Sequence, residues 1–422
     1  VPGRTSRSRF TTPAVRPPPV GERPHNPAVA RHARAALTPN TLPRTAAAPA
    51  SAARTPAGQE WSALTDLPTG TFAGIAAVDD GTLYAGLGEA PGGQWSGAFS
   101  AYDPGTATWR ALTAPATKRL GPAYGFIRGK LYVTGGRDAS GAPIAGGEVY
   151  DPVTDTWSQI ADAPKAYGAA GSVVLGDRLY VIGGCDRINC GSADVQVYDP
   201  ATDTWSAGKP YPEPISYPVC GVADGVAHCA GGAYEPDGHS PQATDHAYAL
   251  DRASGTWHRV ADAPADVWGA TGTAADGQLL VAGGFEVSAG ALTNEAHAYD
   301  PATDTWSALP NLAEPVLGAQ SAPGWFAIGG MDAYSVPQQA VRELPGWDQA
   351  HGDVPWLAES AGKLTVEAHG SARIRLTLDA GAMTAADAGA HRAALVVDTD
   401  TPYGAVSLPV AMTVVPCVAG VN

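Results

Sequence analysis

The chain has 422 residues, with 51 Gly, 37 Pro and 44% hydrophobic residues, and 26 Lys+Arg face 41 Asp+Glu for a formal net charge of −15. The absence of a long apolar run excludes a membrane-spanning helix, and the acid excess argues against a nucleic-acid partner, which needs a basic face. Glycine and proline together far exceed their usual share of about 12%, so the chain must turn often, and an all-β fold with a large core is expected.

Residues 1–59 carry nine Arg, from Arg4 to Arg54, and one acid, Glu22, a net of +8. Stretches such as Arg16-Pro17-Pro18-Pro19 and Ala46-Ala47-Ala48-Pro49 cannot bury enough apolar surface to offset the entropy of ordering. A disordered arm is expected, and its dispersed Arg favour a solvated linker over an anion-binding segment. It holds no apolar run of signal-peptide type, and a start at Val1 fits a processed, truncated or partial chain. Residues 60–422 carry 17 basic and 40 acidic side chains, a net of −23.

From residue 60 the sequence repeats. Residues 150–157 read YDPVTDTW, and 198–205 and 299–306 read YDPATDTW; looser copies are YDPGTATW at 102–109 and LDRASGTW at 250–257. The tryptophans Trp61, Trp109, Trp157, Trp205, Trp257 and Trp306 are separated by 48, 48, 48, 52 and 49 residues. A second column holds glycine pairs: Gly135-Gly136, Gly183-Gly184, Gly231-Gly232, Gly283-Gly284 and Gly329-Gly330, with a degenerate Gly86-Leu87-Gly88. A fixed period in this range indicates a propeller or a similar array.

Each unit reads as four short strands. In the third, Gly171–Leu175 and Arg178–Ile182 flank Gly176-Asp177, and Asp80-Gly81, Asp224-Gly225 and Asp276-Gly277 mark comparable hairpins. A third strand ends at Val197-Tyr198, Asp199-Pro200 starts a turn, and Thr204-Trp205-Ser206 begins the fourth. The glycine pair, the Tyr-Asp-Pro turn and the Thr-Trp column together resemble the kelch repeat. The resemblance implies a six-bladed kelch-type β-propeller over 60–347. In it Glu60–Leu64 supplies the outer strand of the final blade and Val341–Leu344 its third strand, which removes open sheet edges.

The C-terminal region changes rhythm. Strict alternation in ARIRLTLD (372–379) and VSLPVAMTV (406–414), with His391–Asp398 as a third candidate, argues half-buried strands. A β-sandwich is expected over 348–416, followed by a tail at 417–422. With the entry Asp353-Val354-Pro355-Trp356-Leu357 it resembles small immunoglobulin-like modules of bacterial extracellular proteins. The order of propeller and sandwich resembles a region of large secreted actinobacterial proteins, some with a subtilisin-like peptidase.

Counting outward from Asp224-Gly225 sets Cys220 opposite Cys229, close enough for a disulfide. Cys185 and Cys190 flank a four-residue loop segment after a glycine pair. Two local disulfides are expected, with Cys417 left over. The paired cysteines imply an extracellular protein. The two pairs fall on different blades, which argues against a four-cysteine zinc site.

The chain has no Gly-x-Ser-x-Gly elbow, zinc-binding His-Glu-x-x-His, phosphate loop or acidic calcium loop. Asp237, His239, Asp245 and His246 share a loop, read as a polar loop rather than a chelate. No catalytic set, metal or other cofactor is expected. The ligand and oligomeric state stay open. One column just before the first strand of each unit reads Phe72, Leu120, Tyr167, Tyr217, Trp268 and Leu317, with Arg119 and Asp266 beside it. It would lie near one channel mouth. Phe72, Arg119, Tyr167, Tyr217, Asp266 and Trp268 are the candidate ligand contacts, since aromatic faces with a few polar groups suit sugar rings or peptide side chains; capping of the core between blades is the competing role. The expected function is a secreted, non-catalytic binding module for a glycan, peptide or partner protein. The alternatives are a sugar-active enzyme, since bacterial sialic-acid mutarotases and galactose oxidases use similar blades, or a structural accessory of a larger secreted peptidase.

Overall fold

In the computed structural model the described residues are 60–344, apart from loop positions 80, 105, 188, 224, 236–241, 252–253, 276 and 325, together with 357–359, 375–378, 389–397 and 406–414. Every regular element among them is a strand. Blade 1 comprises Ile75–Asp79, Thr82–Gly86, Phe99–Asp103 and Thr108–Ala111, hydrogen-bonded in that order. Blade 2 comprises Ala123–Ile127, Lys130–Thr134, Gly147–Asp151 and Thr156–Ile160. Blade 3 comprises Gly171–Leu175, Arg178–Ile182, Val195–Asp199 and Thr204–Ala207. Blade 4 comprises Val219–Ala223, Val226–Ala230, Ala247–Leu250 and Trp257–Val260. Blade 5 comprises Thr271–Ala275, Gln278–Ala282, Ala296–Asp300 and Thr305–Leu309. The molecule is an all-β, six-bladed kelch-type propeller.

Blade 6 joins the two ends of the repeat array. Phe326–Ile328 pairs with Val341–Glu343, which pairs with Ser62–Ala63 from the start of the array, and Gln320 bridges Ile328 on the inner side. Trp61 anchors this strand, its Nε1 donating to the Pro310 carbonyl at 2.8 Å. The same bond recurs at Trp109 to Thr65, Trp157 to Thr113, Trp205 to Ala161 and Trp306 to Ala261, at 2.8–2.9 Å. Each indole thus ties its blade to the one before. Trp257 departs from the pattern and packs edge-on against Tyr211, with ring centroids 5.0 Å apart.

The glycine pairs tie each blade to the next. The second glycine's N–H donates to a carbonyl just ahead of the following blade: Gly136 to Tyr167, Gly184 to Ile215, Gly232 to Val267, Gly284 to Val316 and Gly330 to Thr71, all at 2.7–2.8 Å. Gly88 to Arg119, at 3.1 Å, completes the set, and the Gly330 bond closes the ring onto blade 1. Side chains are barred here because the conformation is left-handed. At Gly232, with φ of 100°, a Cβ would also lie 2.7 Å from the Ser216 carbonyl oxygen.

The repeat motif has a physical basis. Tyr150 lies across from Trp157, Tyr198 from Trp205 and Tyr299 from Trp306 on neighbouring strands, with centroids 5.1–5.3 Å apart. Five residues after each Tyr, an Asp accepts the phenol hydrogen bond at 2.7–2.9 Å. The same carboxylate oxygen accepts from a backbone N–H of the preceding blade, Thr113, Ala161 or Ala261.

Both expected disulfides are present, Cys185–Cys190 and Cys220–Cys229, the second at directly opposed positions of a hairpin. Cys417 lies outside the described residues. Downstream of the propeller, Leu357–Glu359 pairs with Leu376–Leu378, and Gly389–Val397 pairs with Val406–Val414, both antiparallel. The expected strands at 406–414 and around 391–398 coincide with the second pair. The sandwich as a whole, the arm at 1–59 and the tail at 417–422 lie outside the described residues.

Candidate functional site

The loops that follow the five glycine pairs and Gly86-Leu87-Gly88 emerge at one end of the propeller. The aromatic column lies at this end, because its members pair with residues just after the glycines. Phe72 bridges Glu89, Leu120 bridges Arg137, Leu317 bridges Met331, and Trp268 pairs with Phe285. The column is largely interior. Phe72, Leu120, Trp268, Phe285, Leu317 and Met331 form one buried cluster, with Tyr217 packed against it. Tyr167 is also buried, its ring seated where a Cβ at Gly135 would clash. Phe72 likewise fills the space left by Gly318 of the neighbouring blade 6.

Arg119 is only 1% exposed. Its guanidinium donates to the Gly135 and Gly146 carbonyls at 3.0 and 2.7 Å and to Glu148 at 2.7 Å. Glu148 in turn accepts from the Ala116 and Thr117 backbone N–H groups. The pair fastens the entry of blade 2 to its third strand. Among the six sequence candidates, Phe72, Arg119, Tyr167 and Trp268 therefore have their side chains engaged inside the protein. Tyr217 lines the central channel and Asp266 lines a cleft on the loop end.

That cleft, between blades 4 and 5, has a volume of about 540 Å³. Glu213, Asp245, Asp266 and Glu286 line it together with His246 and Tyr234, and among the described residues no Lys or Arg does. Glu213 holds the His246 ring through Nδ1, at 3.0 and 3.1 Å from its two oxygens. The other ring nitrogen lies 4.0 Å from Asp245. Asp266 accepts from the Ser288 N–H and hydroxyl, and Glu286 accepts from the same hydroxyl at 3.1 Å. Tyr234 donates to Gln242 at 2.8 Å. These bonds hold Glu213, Asp266 and Glu286 in place.

Asp245 and His246, read from the sequence as part of a polar loop, fall in this cleft; Asp237 and His239 lie outside the described residues. Among the described residues no group of His, Cys, Asp and Glu is arranged to hold a metal ion. Glu213, Tyr234 and Glu286 did not stand out in the sequence. For Tyr234 alone there was a signal, the 52-residue spacing between Trp205 and Trp257. The extra residues enlarge the loop after Gly232, which carries Tyr234 and Gln242.

The Kelch motif profile matches residues 118–164, 166–210 and 269–313. The chain carries kelch repeats. Among solved structures, the one titled "Structure of YjhT" is similar with a TM-score of 0.57 and 21% identity, covering 67% of this chain and 96% of that one. At that identity the likeness concerns the fold. No curated protein matches the chain.

Proposed function

We propose that this chain is a non-catalytic interaction module of an exported protein, and that the cleft between blades 4 and 5 receives a cationic side chain of a peptide or protein partner. The observation that carries this reading is four carboxylates on a cleft with no Lys or Arg among the described residues of its lining. Such a cleft raises the local potential for cations and favours Lys- or Arg-bearing ligands over neutral ones. Kelch repeats on a rigid ring, with loops gathered at one end, support an interaction role by fold-level analogy. The two disulfides support export, since such bonds persist in oxidising compartments.

A second reading rests on the Glu213–His246 pair. A carboxylate that fixes Nδ1 leaves the other imidazole nitrogen as an acid or base, which suits a sugar-active enzyme. The test is a fluorescence titration of the full chain with Lys/Arg-bearing peptides and neutral oligosaccharides, repeated with Asp266→Asn plus Glu286→Gln. The module reading expects peptide binding that weakens with salt and drops about tenfold or more in the variant. Turnover of a sugar that His246→Ala abolishes, without peptide binding, would overturn it in favour of the enzyme.

A further inference from the structure

Three seams of the ring share one clasp, and the seam between blades 3 and 4 lacks it. Asp155, Asp203 and Asp304, two residues before Trp157, Trp205 and Trp306, each accept a backbone N–H of the preceding blade at 2.8–3.0 Å. In blade 4 the motif reads LDRASGTW, so Gly255 stands in the place of the Asp, and Leu250, opposite Trp257, in the place of the Tyr that bonds it. The N–H in the clasp position belongs to Lys209, four residues after Trp205, and it has no partner among the described residues. Other departures from the motif are made good. Ala107 replaces the Asp in blade 1, and there the Thr65 hydroxyl donates to the Ala107 carbonyl at 2.7 Å. Between blades 5 and 6 the clasp position is Pro310, which has no N–H to satisfy.

The smaller side chains leave room. A cavity of about 410 Å³ opens at this seam, and Gly255, Leu250, Lys209, Trp257 and Tyr180 all line it. It lies at the end of the propeller opposite the glycine-pair loops, where the turns between third and fourth strands are. A Cβ at Gly255 would meet nothing nearer than Lys209 Cγ, at 4.0 Å, so the space of an Asp side chain is open. Arg178 also lines the cavity but is engaged by Asp199, at 2.9 and 2.8 Å. Lys209 is exposed and makes no ion pair among the described residues. A free ammonium beside a free backbone N–H is a carboxylate receptor, because hydrogen bonds to an ionised acceptor are the strong ones. The half-buried rings of Tyr180 and Trp257 offer apolar surface next to it.

We propose that this gap binds a monocarboxylate that carries an apolar group, the carboxylate taking the Asp position on the Lys209 N–H and the apolar group lying against Tyr180 and Trp257. A free carboxylic acid and the C-terminus of a peptide both have this chemistry. The site is separate from the acidic cleft and does not depend on it. The repeat itself supplies the variant that closes it. Gly255, with φ of 67°, already has the left-handed backbone of Asp155, Asp203 and Asp304, at 51–53°, which Asp tolerates. Gly255→Asp would build in the clasp and occupy the guest's position.

The test is calorimetric titration of the full chain with N-acetyl-L-phenylalanine, the corresponding amide, and acetyl-Ala-Ala-Phe with a free C-terminus, alongside thermal unfolding. The acids should bind, more weakly as salt rises, and the amide about tenfold or more weaker. Lys209→Gln should weaken the acids about three- to tenfold. Gly255→Asp should weaken them about tenfold or more while its melting temperature holds or rises. The Asp266→Asn plus Glu286→Gln variant should bind the acids normally. Tighter binding of the peptide than of the free acid assigns a peptide C-terminus, and equal binding assigns a small acid. No binding of either acid at about 50 mM, a concentration that would reveal even a Kd of a few mM, would overturn the proposal. So would equal binding of acid and amide, or unchanged acid binding in the folded Gly255→Asp and Lys209→Gln proteins.

Discussion

The Tyr198 hydroxyl donates to Asp203 Oδ1 at 2.7 Å, and that same oxygen accepts the Ala161 N–H of the preceding blade at 2.8 Å. One carboxylate oxygen therefore joins the third strand of blade 3 to the entry segment from blade 2. Asp203 sits at φ of 51°, a left-handed conformation that Asp and Asn tolerate better than most residues. Asp203→Ala should destabilise the propeller by about 1–3 kcal/mol, because the buried Tyr198 hydroxyl loses its acceptor. Asp203→Asn, which keeps an acceptor oxygen and the backbone preference, should cost less. Chemical denaturation of the two variants checks the order.

The same carboxylates set an acid limit. Backbone N–H donation, then the Tyr hydroxyl, hold Asp155, Asp203 and Asp304 below the usual carboxylate range. A folded-state value below the unfolded one contributes stability above pH of about 4, which is lost as pH falls through the lowered values. An Asp155→Asn, Asp203→Asn, Asp304→Asn triple variant should be less stable at neutral pH and show a flatter decline between about pH 4 and 2. Melting temperature against pH measures this.

Burial and then the Asp hydrogen bond raise the hydroxyls of Tyr150, Tyr198 and Tyr299 above their ordinary value. Their protonated form is favoured in the fold, so that contribution is complete below pH of about 10 and is lost as pH climbs beyond it. Ultraviolet titration should show these three phenols ionising only with unfolding, and the loss of far-ultraviolet strand signal should coincide with that ionisation.

The Arg119–Glu148 pair is almost wholly enclosed, each side chain being 1% exposed. Glu148→Ala leaves a buried guanidinium without its counter-charge and should cost about 3–5 kcal/mol. Arg119→Met combined with Glu148→Leu should recover much of that loss, since it removes both charges. A double-mutant cycle by thermal unfolding tests the coupling.

At the seam, Gly330 donates to Thr71 at 2.7 Å with φ of 89°. Gly330→Ala should lower stability by at least about 1–3 kcal/mol through backbone strain alone, and its Cβ would lie 2.9 Å from that of Ala319. Reduction of the disulfides should lower the melting temperature further, and non-reducing peptide mapping should return Cys185 with Cys190 and Cys220 with Cys229.

The period of the tryptophans, the glycine pairs and the Asp-Gly hairpins determined six blades, their strand order, the closing role of Glu60–Leu64 and the opposition of Cys220 to Cys229. All of these depend on local periodicity and turn chemistry, which recur visibly along a chain. The tertiary structure alone decided where each side chain of the aromatic column points. Phe72, Tyr167 and Trp268 look alike in sequence whether they face a ligand or fill the interior, and packing between blades placed them inside. The cleft gathers Glu213, Asp266 and Glu286, and the channel gathers Thr271 and Gln320, from segments far apart in the chain. Only the stacking of neighbouring blades brings such residues together, because it is how the blades pack, not the spacing of residues along the chain, that sets which side chains share a cavity.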